Sequence, residues 1–291
     1  MSWRWLMIVA ALVGLASPAV AEPVTVGVYA PTVPFEGTAA RLAFATTLAR
    51  HLAGPDAVGR VYGRASDFSA ALVGGDIQLA VVDVAFLATT KIPHTTLAVA
   101  VRAGATAAPW QLVVRAPAPP LATLRGKTVV APITDGQHRA FVDHALFGGE
   151  LAPDFWHVEA SPDTLSAVAA VVLGKADAAV VPVGLALPGD LAAVTDLPSV
   201  SWPILIAARS APAEVVTQAR AQAPRFAGAA AITGFRPADA EVEQALARRL
   251  RRPLRLPPLV VPALRITVGE LLVGRRFDIA RPAVTSYLPA P

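Results

Sequence analysis

The sequence predicts an α/β protein of two lobes, each a mixed, mostly parallel sheet flanked by helices. Three observations carry this expectation. Val24-Thr25-Val26-Gly27-Val28, a loop, and a helix from about Thr38 form the strand, loop, helix unit that opens a parallel sheet. About a hundred residues apart, Gly75-Asp76-Ile77-Gln78-Leu79 and Gly174-Lys175-Ala176-Asp177-Ala178 hold matching places between a helix and a strand, as in two half-molecules. Residues 22–291, in a chain that is 54% hydrophobic, also exceed what one small domain holds.

Ahead of these elements, Met1-Ser2-Trp3-Arg4 carries one positive side chain, an apolar run follows from Trp5 to Leu15, and Ala19-Val20-Ala21 has the small-x-small pattern of a cleavage site. The run is shorter than the ~20 residues of a spanning helix, so residues 1–21 read as a signal peptide cleaved after Ala21; an uncleaved anchor is the alternative. The chain has no cysteine, which excludes disulfides, thiolate metal sites and a lipidated cysteine at the cleavage site. A protein of the periplasm fits these features. The formal net charge is +4, with no basic run interleaved with aromatics, so nucleic acid is not an expected partner. The cluster Arg248-Arg249-Leu250-Arg251-Arg252 reads as the solvated end of a helix.

In the helix from Thr38, Phe44, Ala45, Leu48 and Leu52 share one face while Arg41, Thr47 and Arg50 face away, and Gly54-Pro55 ends it. A strand is expected near 60–63. Ser66 then caps a short helix, 67–73, which Gly74-Gly75 stops before the strand Leu79-Ala80-Val81-Val82. Further strands are expected at 97–101, 110–114, 124–131, 178–181 and 202–207. Ser161-Pro162-Asp163 starts a helix whose apolar stripe is Leu165, Val168, Val172 and Leu173, and helices are expected at 212–223 and 238–251. A membrane span over 165–187 is rejected because Lys175 and Asp177 lie at its centre. The Pro-rich segment 252–291 is expected to be extended chain wrapped over a lobe.

Leu121-Ala122-Thr123-Leu124-Arg125-Gly126-Lys127-Thr128-Val129 resembles the segment at the entry to the second lobe in the phosphate and phosphonate receptors among type II periplasmic binding proteins. The stretch from Gly75 to Leu87, with Asp83, Ala85 and Phe86, and the element Gly174-Lys175-Ala176-Asp177-Ala178 resemble that family in the same order, over roughly 24–207. The resemblance implies two lobes joined by two hinge strands, with a ligand in the cleft between them and closure on binding. The lobes are then expected at 22–112 with 205–291, and at 113–204. Trp110 and Trp202 fall near the crossings and are expected to pack the hinge.

In such sheets strand C-termini and helix N-termini converge on a crevice whose free N–H groups attract anions. Three loops are expected to line it: 29–35, with Tyr29 and Thr32; the turn at Asp83; and 133–138, with Thr134, Asp135, Gly136, Gln137 and His138. Tyr29 either stacks on a ligand or covers the first helix. Thr134 supplies a hydroxyl and Gly136 close backbone approach, but Asp135 departs from the family's phosphate cradle: it either caps the helix or, with Asp83, faces an amine on a zwitterion. His138 either donates to an anion or caps at the surface, and Arg102 is a possible counter-charge.

The sequence contains no Gly-x-Ser-x-Gly, His-Glu-x-x-His or Gly-x-x-x-x-Gly-Lys-Ser/Thr motif, and His138 and His144 are six apart, on different faces of a helix. The expectation is therefore not an enzyme and no cofactor or metal. It is a monomer that takes up a small anion or zwitterion and hands it to the permease of an ATP-driven importer, with a membrane sensor kinase as the alternative partner.

Overall fold

The computed structural model describes residues 22–133, 136–228 and 231–252. The expected signal peptide, Thr134 and Asp135, and the Pro-rich segment beyond Arg252 lie outside the described residues.

In chain order the elements are β1 (Thr25–Tyr29), α1 (Thr38–Ala53), β2 (Val58–Val61), α2 (Ala65–Gly74), β3 (Leu79–Val82), α3 (Val84–Thr89), β4 (His94–Val101) and β5 (Ala107–Arg115). A 3-10 turn (Leu121–Leu124) leads to β6 (Thr128–Ala131), then α4 (His138–Ala140), which widens into a π-helical turn (Phe141–Leu146). β7 (His157–Ala160), α5 (Thr164–Val172), β8 (Ala178–Pro182), β9 (Leu191–Ser201), β10 (Ile204–Ala208), α6 (Ala213–Gln222), β11 (Gly234–Pro237) and α7 (Glu241–Leu250) follow.

Two sheets result. The first runs β2-β1-β3-β10-β4-β11 and the second β7-β6-β8-β5-β9. Each begins with three parallel strands, β2-β1-β3 and β7-β6-β8, and continues through an antiparallel fourth strand, β10 or β5. The sheets are thus mixed, with their parallel strands gathered in one half. β3 and β8 occupy the same third position in the two orders, so the matching Gly-containing segments of the sequence are structural counterparts. Gly75 (φ 86°) and Gly174 (φ 68°) both take the left-handed backbone that lets a helix end and a strand begin at once. All residues of β1, β3, β8 and β10 are buried, as the interior strands of a sheet covered on both faces require.

The core has three parts. One lies between the first sheet and α1 with α6, another under α5. The third is continuous between the sheets, running from Tyr29, Phe68 and Phe86 to Trp110 and Phe141. α7 joins the sheets a second time: Glu243 is buried against His94 and Thr96 of β4, while Arg249 donates to Ser199 O at 2.7 Å and to Ala145 O in the second sheet's layer. Among the described residues no helix is long and apolar enough to cross a membrane.

Several local expectations are corrected. Arg41 does not face solvent; it is buried, with its guanidinium 5.6 Å over the Phe35 ring and 3.6 Å from Asp163. α2 starts before Ser66, with Arg64 at the N-cap position, and the Ser66 hydroxyl donates to Asp67 Oδ1 instead of capping. The buried face of α5 is Thr164, Ala167, Val168 and Val171, leaving Leu165 and Leu173 exposed. Its apolar run fits two helical registers, and the Asp163 cap, accepting from Ser166 N at 2.8 Å, selects this one. Trp110 lies within β5, edge-on to Phe141, while Trp202 sits at the β9–β10 crossing.

Candidate binding cleft

The parallel half of each sheet ends in loops, and loops from the two sheets meet. Ala30 O accepts from Val33 N, which turns the chain after β1 back toward the first sheet. The turn is held by Asp83 at the end of β3. Its Oδ2 accepts from Thr32 N at 2.9 Å and its Oδ1 from the Thr32 hydroxyl at 2.6 Å, while Asp83 N donates to Tyr29 O. Both residues are buried, and hydrogen bonds to a buried carboxylate are the strong kind.

From the second sheet, the loop after β7 reaches across. Thr164, fully buried at the start of α5, donates its N–H to Pro31 O at 3.1 Å and its hydroxyl to Thr32 O at 2.9 Å and Pro31 O at 3.2 Å. Beside it, Asp163 caps α5 with one oxygen and approaches Arg41 of α1 with the other. The loop is anchored to its own sheet by Ser161, whose N–H donates to Ala131 O at 2.7 Å.

Next to this junction lies a cleft of about 600 Å³ between Gly63, Arg64, Ala65 and Ser66 on the first sheet's side and Ala160, Ser161 and Pro162 on the second's. The volume is within the common range for small-molecule sites, about 300–1,000 Å³. α2 presents its N-terminus here with no side-chain cap, so its first-turn N–H groups are open to an acceptor, and Arg64 is the one ionisable residue among the described residues of the wall. The wall's hydroxyls are already engaged, Ser66 donating to Asp67 Oδ1 and Ser161 to Asp163 O, each at 3.1 Å, so its open donors among the described residues are Arg64 and the first-turn N–H groups of α2.

The residues expected to line the crevice are placed as follows. Tyr29, Thr32 and Asp83 come together, but as a braced unit. The Tyr29 ring is sandwiched at 5.4 Å from Phe68 and meets Phe86 edge-on at 5.3 Å, and Thr32 engages both oxygens of Asp83. Gly136 (φ 82°) and Gln137 lie on the loop after β6, with Gln137 at the N-cap position of α4, His138 opening that helix and Phe141 N donating to Gln137 O at 2.8 Å. His138 is half-buried, and its Nδ1 is buried without a hydrogen-bond partner among the described residues. Arg102 lies at the crossing between the sheets and stacks over Trp202. Sequence reasoning missed Arg64, Ser66 and Ser161 as cleft residues and Thr164 as the junction beside them. The signal was present in the pairing of half-molecules, because the loops after β2 and β7 are counterparts just as those after β1 and β6 are.

The sequence matches no protein-family model and no curated protein. Solved structures do resemble it. The binding-protein component of a phosphonate ABC transporter from Pseudomonas aeruginosa superposes with a TM-score of 0.60 at 13% identity, over 78% of this chain and 85% of its own. PhnD1 of Prochlorococcus marinus, in complex with methylphosphonate, gives 0.60 at 12% identity, over 79% and 98%. A Xanthomonas citri protein bound to chloride gives 0.57 at 16% identity, over 79% and 97%. The fold is that of the type II periplasmic binding proteins, as the resemblance seen in the sequence implied.

Proposed function

We propose that this chain is a periplasmic solute-binding protein that captures a small oxyanion, a phosphonate, phosphate or similar, between two lobes and delivers it to an ABC importer. In this reading it is exported with loss of residues 1–21, acts as a monomer, catalyses nothing, and has lobes at 22–112 with 205–291 and at 113–204. The observation that carries the reading is the cleft walled by Arg64 and the uncapped N-terminus of α2, beside a direct junction of the two sheets at Thr164. A site with one cation and an uncapped helix N-terminus favours an anion, and ligand contact from both sheets is what couples binding to closure.

Within this proposal, Thr134, Asp135, Gly136, Gln137 and His138 complete the wall from the loop after β6, and Tyr29, Thr32 and Asp83 form its rigid floor. An amine of a zwitterionic ligand would have to compete with Thr32 for Asp83, which favours a simple anion over a zwitterion.

The test is a thermal-shift panel of phosphate, phosphite, alkylphosphonates, aminoalkylphosphonates, sulfonates and carboxylates. At a hundredfold excess over its dissociation constant a ligand adds about 2.7 kcal/mol, several degrees in Tm for a protein of this size. An oxyanion response that Arg64→Gln and Thr134→Ala diminish is expected. A panel without any response, or a response indifferent to both substitutions, overturns the assignment.

A further inference from the structure

A second cavity, of about 440 Å³, lies where the chain crosses between the sheets. Arg102, Ala108 and Pro109 of the first crossing line it, together with Trp202 of the second, Val183 after β8, and Thr233 ahead of β11. Its polar side chains are donors. The Thr233 hydroxyl donates to Val101 O at 3.0 Å. The Arg102 guanidinium lies 5.7 Å over the Trp202 ring and donates to Ala231 O at 3.2 Å. Its partial burial lowers its pKa, and it forms no ion pair among the described residues. Arg236 adds a second positive charge to the same turn by donating to Gly104 O. Trp202 is 5% exposed, and its indole N–H is buried without an acceptor among the described residues.

A partly buried cation without a counter-charge is costly, and an anion relieves that cost. The rest of the wall is apolar: the indole, Ala108, Pro109 and Val183, the last 38% exposed. A bare inorganic ion would leave that surface wet. We propose that this cavity is a binding site apart from the interlobe cleft and takes a small monocarboxylate with an apolar body, its carboxylate on Arg102 and its body against Trp202. A ligand there touches both crossing segments, the parts of the chain that any rotation of one sheet against the other must bend.

The probe is benzoate, titrated into the protein with its tryptophan indoles labelled with nitrogen-15, the Trp202 resonance being the one missing in Trp202→Phe. A saturable shift of that resonance is expected, at least tenfold weaker in binding for Arg102→Gln, weakened less in Arg102→Lys, and unchanged in the cleft variant Arg64→Gln. Unmoved Trp110 and Trp156 resonances certify that each variant is folded; should Arg102→Gln not fold, the comparison with Arg102→Lys decides. A shift that does not saturate, one reproduced by chloride or phosphate at equal ionic strength, or equal affinity in the Arg102 variants overturns the site. None of these outcomes depends on what the interlobe cleft binds.

Discussion

The hydroxyl of Thr164 lies 2.9 Å from the carbonyl oxygen of Thr32, one residue at the start of α5 and the other in the loop after β1, so a single side chain hydrogen-bonds one sheet's layer to the other's. Thr164→Val keeps the shape and the Pro31 bond to its N–H but removes the hydroxyl, leaving Thr32 O without this donor. A net hydrogen bond is worth roughly 1 kcal/mol, so the junction should weaken about fivefold. Small-angle scattering of the ligand-free protein should show a larger radius of gyration, and an unchanged radius would count against the junction.

Asp83 braces the turn through two bonds from Thr32. Asp83→Ala leaves the Thr32 N–H and hydroxyl unsatisfied in a buried site and should destabilise by about 2–4 kcal/mol. Asp83→Asn, which keeps one carbonyl acceptor, should lose less. Urea denaturation midpoints give the order directly, and equal losses would show that the acceptor Asn keeps contributes nothing.

His94 and Glu243 make stability depend on pH. His94 Nδ1 is 2.8 Å from Ile92 O and its Nε2 3.0 Å from Glu243 Oε2, two acceptors that require both ring nitrogens to carry protons. The hydrogen bond to Glu243 raises the His94 pKa above 6.5 against the opposing effect of burial, with the Ile92 bond adding to the rise. Burial pushes the Glu243 carboxyl up, but hydrogen bonds from His94 and Thr96 outweigh it and hold its pKa below 4.5. A raised histidine contributes fully below its unfolded value and is lost as pH climbs through its folded one. A depressed carboxylate contributes above its unfolded value and is lost as pH falls through its folded one. The pair therefore stabilises most between about pH 4.5 and 6.5 and weakens on either side. Thermal melts of the protein should show this dome, and His94→Gln should lose its alkaline limb; a Tm profile identical to that of the variant would refute the ion pair.

Gly59 of β2 lies against α1 so closely that a Cβ built there would stand 2.4 Å from the backbone of Ala45 and Thr46. Gly59→Ala must push the helix off the sheet edge and should cost about 1–3 kcal/mol, the range for overpacking. Denaturant unfolding measures it, and a neutral result would mean that α1 yields without resistance.

Much of this architecture was legible because helix stops and β-branched runs coincide. Gly54, Gly75 and Gly174 each end a helix where the sequence placed the stop, and Leu79-Ala80-Val81-Val82 is bounded as expected. The missed strands have weaker signals. β7 is a mostly exposed edge of four residues, and β9 and β11 contain Pro198 and Pro237. The site was half legible for the same reason. The loops after β1, β3 and β6 announce themselves by strong strands, whereas Arg64 and Ser161 follow the two short edge strands, and Ser161 reads from the sequence only as part of a helix start. Arg41 was misread because its partner, Asp163, lies more than a hundred residues away, and helical periodicity cannot see a counter-charge in another layer.

The position of β10 also sets an order of assembly. β3 and β4 follow each other in the chain, yet neither pairs with the other; both wait for residues 204–208 to fill the gap between them. The strands of the second sheet all lie between residues 107 and 201, so that sheet can be completed from one uninterrupted stretch. Pairings across long sequence separations close slowly. A chain emerging from its N-terminus thus has β1 to β4 first but finishes their sheet last, keeping the flanks of β3 and β4 unpaired through the synthesis of everything between, the interval in which a holding chaperone has most to protect.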